Sequence, residues 1–140
     1  MNYKRVFVAA LAGFVAYFVF GTVAFTLPAM KAEYFRFPAV YRSSEGIQKV
    51  FPIGMAATLV AMVVLAIVYA KGYEGGNGVG EGLRFGVLIG TFSVCTFVFH
   101  NYVNLNIGLR LTLIQAVAYF LEWLLVGVVI GAVYKPAVSR

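Results

Sequence analysis

Glu122 is the residue of this chain with the clearest chemical potential. It is an acid near the middle of an apolar stretch, where an unpaired charge costs at least ~2.5 kcal/mol. Gln115, Tyr119 and Glu122 follow one another at spacings of four and three, so they share one face of a helix. Thr91, Ser93, Cys95 and Thr96 fall at comparable depth in the preceding apolar stretch. A hydrogen-bonded cluster joining the two stretches is therefore expected. It admits two chemistries: a proton or cation site, or a neutral carboxylic acid that ties two helices together. A proton relay needs several titratable groups in series, and no second acid or base shares that depth, so the structural role is preferred. Tyr17, Tyr119 and Trp123 are the aromatics able to complete a pocket there, although aromatics in apolar helices mostly pack.

Other chemistries find less support. His100 is the single histidine and Cys95 the single cysteine, too few ligands for a zinc site. No metal and no cofactor is expected; axial ligation of a haem or chlorin by His100 is the one cofactor reading left open. The chain has no aspartate, and its histidine lies near a helix end, so a serine-nucleophile triad cannot be assembled. The glycine-dense run Lys71 to Gly80 looks like a phosphate-binding loop. It lacks the Lys-Ser/Thr pair that opens a helix after a strand, and reads as a flexible turn. With one cysteine there is no internal disulfide, and redox compartment stays open.

The elements that must position these residues are four apolar stretches, roughly 6–29, 52–70, 83–103 and 111–134. Each is near or above the ~20 residues a helix needs to cross a ~30 Å hydrocarbon core. With 62% hydrophobic and 11% charged residues in 140, there is room for one transmembrane domain and no soluble one. The expected architecture is an all-α membrane protein, a four-transmembrane-helix bundle with a longer interfacial connection between its first two helices. Pro28 is expected to end the first helix, and Pro38 and Pro52 to punctuate residues 30–51. That segment mixes Tyr34, Phe35, Phe37, Tyr41 and Phe51 with Lys31, Arg36, Arg42 and Lys49, the composition of a chain lying at the headgroup level. It reads as a connector, with a docking surface or a lid over a cavity as the functional alternative. His100, Asn101, Asn104, Asn106 and Arg110 form a polar turn between the last two helices. Its asparagines can satisfy carbonyls ending one helix and amides starting the next.

Small residues supply the means of helix association in lipid. Gly82, Gly86 and Gly90 recur every four residues, as do Gly127 and Gly131, while Ala9, Gly13 and Gly21 lie on nearly one stripe. Some of these faces are expected to pack within the chain and at least one to be free for another subunit or a second copy. The net charge of +6 comes from basic residues placed one or two at a time beside apolar segments, which reads as headgroup anchoring and not as nucleic-acid binding.

Lys4 and Arg5 before a long apolar run resemble the opening of a signal peptide, but the run exceeds a usual h-region and is read as a retained first helix. With the N-terminus inside, Lys4, Arg5, Lys71, Arg84, Lys135 and Arg140 are cytoplasmic, and Lys31, Arg36, Arg42, Lys49 and Arg110 external. Both termini are expected in the cytoplasm.

The run Gly82-Leu83-Arg84-Phe85-Gly86-Val87-Leu88-Ile89-Gly90, then His100-Asn101-Tyr102, and the LEWLLVGVVIG segment from Leu121 to Gly131, resemble small four-helix bacterial membrane proteins of unknown function. The resemblance implies a bacterial inner-membrane protein and transfers no site. The leading expectation is a non-enzymatic membrane subunit that packs through its glycine faces in a homo-oligomer or a larger complex, with the lipid bilayer and other membrane subunits as partners. A small oligomeric transporter or channel using Glu122, and a cofactor- or lipid-binding subunit using His100 or the aromatic connection, are the alternatives.

Overall fold

A computed structural model describes residues 1–134; Lys135 and Arg140, assigned above to the cytoplasmic side, lie outside them. The described residues form helices α1 (Tyr3–Thr26), α2 (Pro28–Phe35), α3 (Ser44–Gly72), α4 (Gly78–Asn104) and α5 (Leu109–Val133). Four of them, all but α2, are long and apolar enough to cross a membrane, which marks an integral membrane protein. Within α4 the residues Val94–Val98 form a π-helical turn, a local widening of the hydrogen-bond ladder.

Local chemistry explains the boundaries; the first helix ends just before Pro28 as expected, and Pro52 alone acts differently from expectation. Asn2 caps α1, its side chain accepting from the Arg5 amide. The chain breaks at Leu27, and Pro28 opens α2, because its fixed φ and missing N–H suit the first turn. Pro52 lies inside α3, which begins eight residues earlier under a Ser43 cap whose hydroxyl accepts from Gly46 at 3.2 Å. The carbonyl that Pro52 leaves unpaired belongs to the exposed Gln48, where solvation offsets the lost bond. An ion pair between Lys49 and Glu45, 3.3 Å, supports the same first turns. The 30–51 segment is thus α2, a turn over 36–43 and the start of α3, not one irregular connector.

The glycine-rich turn before α4 is also more constrained than its composition suggests. The Glu81 carboxylate accepts from the Glu74 and Gly76 amides at 3.0 and 2.6 Å, and Asn77 caps α4. Gly75, at φ +90, takes the one left-handed conformation among the described residues.

The long helices pack in the order α3, α1, α5, α4, with α1 and α5 central. The α4–α5 seam is made by glycine. A methyl group added at Gly127 would stand 2.6 Å from the Gly86 Cα, and one at Gly131 2.8 Å from the Gly82 Cα. Gly78 approaches the Gly131 carbonyl in the same way, and Gly90 lies against the Phe120 ring and carbonyl. Gly13 faces Ile130 and Met62, where α1, α3 and α5 meet. Each of these glycine faces is covered within the chain, which brings the backbones close enough for dispersion to hold helices that lipid does not push together.

α3 and α4 come together at one end only. There the Tyr69 hydroxyl donates to the Gly78 carbonyl at 3.1 Å, and the Tyr69 ring meets Phe85. The buried residues of α3, Met62, Ala66 and Tyr69, all lie in its second half, and those of α4 before its π turn are the glycines of its first half. Toward the other end α3 stays on α1 through Phe51 and Phe18, while α4 stays on α5 through Phe97 and Tyr119. A wedge opens between them, floored by the Tyr17–Trp123 pair of α1 and α5.

Candidate functional site

At the mouth of this wedge, α2 and the 36–43 turn fold over the start of α5. Glu33, 5% exposed, anchors α2: Arg36 and Arg110 reach its two carboxylate oxygens at 3.3 and 3.4 Å. Met30, Ile107 and Leu111 bury an apolar patch beneath. Gln115 of α5 then holds the turn from below. Its amide donates to the Tyr34 hydroxyl at 2.7 Å and to the Tyr41 hydroxyl at 3.2 Å, with the two phenol rings 4.5 Å apart. Burial pushes the Tyr34 hydroxyl up to about 12, so it remains a neutral hydrogen-bonding group.

Tyr34 and Tyr41 border an open-sided cavity of about 650 Å³, within the range of small-molecule sites. Tyr34, Tyr41 and Tyr119 line it, with Phe25 and Ile47 as its apolar wall. Lys31, Arg42 and the serines that open α3 complete its rim. Lys31 also lies over the Phe35 ring at 5.8 Å. The cavity reaches Ile47 of α3 and Tyr119 of α5; Phe51 lies one helical turn beyond Ile47, and the Tyr119 ring also meets Phe97 of α4.

Glu122 lies deeper on the same face of α5 as Gln115 and Tyr119. It is 0% exposed, and among the described residues neither carboxylate oxygen has a hydrogen-bond partner. It faces Gly21 of α1, where an added methyl would stand 2.8 Å from Oε1. The absent Cβ at Gly21 is what makes room for the carboxyl.

The cluster expected around Glu122 is not assembled. Ser93 accepts from the Trp123 indole at 2.9 Å, and Thr96 returns its hydroxyl to the Phe92 carbonyl at 2.6 Å. Thr91 and Thr96 are exposed on the outer side of α4, and Gln115 is engaged by the tyrosines. The Trp123–Ser93 bond joins the two stretches beside Glu122, but the other polar side chains point in different directions around their helices. The inward stripe of α4 is the glycine row, which turns Thr91 and Thr96 away, while α5 aims Glu122 at α1.

In the polar turn, Asn104 donates to the His100 carbonyl at 2.9 Å, the Asn101 carbonyl accepts from Leu105, and Arg110 leaves the turn for Glu33. The start of α5 takes no asparagine cap; Gly108 stands at that position and Thr112 donates back to its carbonyl. His100 is exposed, and among the described residues no three His, Cys, Asp or Glu side chains gather as metal ligands. The residues that sequence reasoning passed over are Glu33 and the tyrosine-to-Gln115 pairing. The Glu33–Arg36 spacing of three was a usable signal, whereas the Tyr34 and Gln115 partners are 81 residues apart.

No curated protein and no solved structure matches the chain. A family model, described as a protein of unknown function (DUF1761), matches residues 8–131. Since that match extends over most of the sequence, from the first long helix to the last, the chain belongs to the DUF1761 family.

Proposed function

We propose that this is a non-enzymatic inner-membrane protein that holds an amphipathic molecule in the wedge and its mouth. In this reading the four long helices span the membrane as an open bundle, both termini are cytoplasmic, and α2 with its turn lies at the external headgroup level. The observation that carries it is a tyrosine-lined cavity with Lys31 and Arg42 at its rim, whose lining residues Ile47 and Tyr119 adjoin the apolar Phe51 and Phe97. Such a site matches a molecule with a polar head and an apolar tail. Assembly through glycine faces receives less support, because those faces are already occupied by α1, α3, α4 and α5 against one another.

The test is photolabelling of the full chain in bilayers with a lipid analogue carrying a diazirine on its acyl chain. Adducts concentrated on Phe51, Phe97 and Tyr119 support the reading. Adducts spread equally over the exposed outer ridge of α3, at Val60, Val64 and Val68, contradict it.

The unpartnered Glu122 favours a second reading, a small transporter that moves a proton or cation. It predicts that Glu122→Gln, which keeps shape and removes the ionisable group, abolishes flux into proteoliposomes. Unchanged flux removes it.

A further inference from the structure

Charge at the wedge mouth is unbalanced in a way that specifies the head of the occupant. At this end of the molecule the described residues include five basic side chains, Lys31, Arg36, Arg42, Lys49 and Arg110, and two acids, Glu33 and Glu45. Glu33 takes Arg36 and Arg110, and Glu45 takes Lys49. Lys31 and Arg42 remain, with no carboxylate of the described residues in ion-pair range, and both line the cavity. The amino-terminal end of the 29-residue α3 is in the same wall at Ser43 and Ser44, so its partial positive charge adds to theirs. Tyr34 and Tyr41, whose hydroxyls are held by Gln115, line the same cavity. Two cations without an ion-pair partner among the described residues and a helix amino terminus, beside the apolar Phe25 and Ile47, form a surround for an anion bonded to an apolar body.

Building on the amphiphile reading above, we infer that the occupant is an anionic phospholipid of the adjacent leaflet. Its phosphate sits between Lys31 and Arg42, and an acyl chain follows Ile47, Phe51 and Phe97 into the wedge. A free phosphate would use the same cations but would leave the apolar wedge unexplained. A zwitterionic lipid would carry a second charge that Lys31 and Arg42 repel.

The single tryptophan of the chain, Trp123, lies on the wedge floor and gives a direct probe. The full chain is placed in bilayers in which brominated phosphatidylglycerol is diluted into unbrominated phosphatidylcholine, and then in the reciprocal mixture. Preferential quenching of Trp123 by the brominated anionic lipid is expected, about 30-fold over the zwitterionic one. That preference should vanish in Lys31→Gln/Arg42→Gln, given the strength of two basic residues near anionic lipid. Both side chains are exposed and have no ion-pair partner among the described residues, so the variant should fold; Arg36→Gln, at a cation already engaged by Glu33, should retain the preference. Equal quenching by the two lipids overturns the anionic assignment alone, provided photolabelling still maps to the wedge. A preference that survives the double variant overturns the assignment to Lys31 and Arg42. Failure of the photolabelling removes the amphiphile site itself.

Discussion

Substituting Gly127 by alanine is the most quantitative perturbation the helix packing allows. The new methyl would stand 2.6 Å from both the Cα and the N of Gly86, where ordinary contact begins near 3.4 Å. Relief requires α4 and α5 to part by about 0.8 Å along most of their seam, since these are backbone atoms in two rigid helices and no rotamer can yield. Overpacking of this kind costs about 1–3 kcal/mol. Alanine's better helix propensity returns up to about 1 kcal/mol. The net loss should be roughly 1–2 kcal/mol, a factor of about 5–30 in the ratio of folded to unfolded chain. Gly54→Ala is the matched control, because nothing lies within 4 Å of its added methyl, and it should be neutral or slightly stabilising. Steric trapping in bicelles measures both on one scale. If Gly54→Ala proved as destabilising as Gly127→Ala, the glycine seam would not be what holds α4 to α5.

Further outcomes follow from individual contacts. Gln115→Leu removes both hydrogen bonds that hold the 36–43 turn and leaves two phenols without their partner; hydrogen exchange should rise over residues 28–43, with global stability falling by about 1–3 kcal/mol. Unchanged protection would mean that apolar contacts alone hold the turn. Glu122→Gln should leave stability within about 1 kcal/mol, because no hydrogen bond to the carboxyl is lost, and Glu122→Leu should match or exceed the wild type by removing a buried polar group that has no partner; strong destabilisation of Glu122→Gln in steric trapping would instead reveal a partner for the carboxyl. Tyr69→Phe deletes the hydrogen bond to the Gly78 carbonyl and should cost about 1 kcal/mol in the same assay. It should also loosen the closed end of the wedge, read as a wider distance distribution between spin labels at positions 71 and 79, and an unchanged distribution would place the α3–α4 contact elsewhere.

The parts of the fold legible in the sequence are those set by one-dimensional signals. Hydropathy located the four long helices because their length and apolar content are properties of the segment itself. Glycine spacing gave the stripes for the same reason, and Gly82, Gly86, Gly127 and Gly131 do lie at backbone contact. Pro52 misplaced the start of α3 because a proline's cost depends on whether the orphaned carbonyl can be solvated, which a linear reading does not contain. The surroundings of Glu122 were illegible for a different reason. A helix face is known only relative to its own helix, and the partner it meets depends on how all four long helices rotate and cross. Gly21 held a hint, as a small residue on α1 at the depth of a buried acid. The Gln115 contact with Tyr34 and Tyr41 joins segments far apart in sequence, and no local pattern encodes it.

Whether the wedge holds an amphipathic molecule can be read from the mass of the intact chain released from its native membrane without prior delipidation. The expected result is a chain carrying one phosphate-bearing lipid that survives release and is lost in Lys31→Gln/Arg42→Gln. A bare chain, or one whose lipid adducts are multiple, unselective and unchanged in that variant, would contradict it.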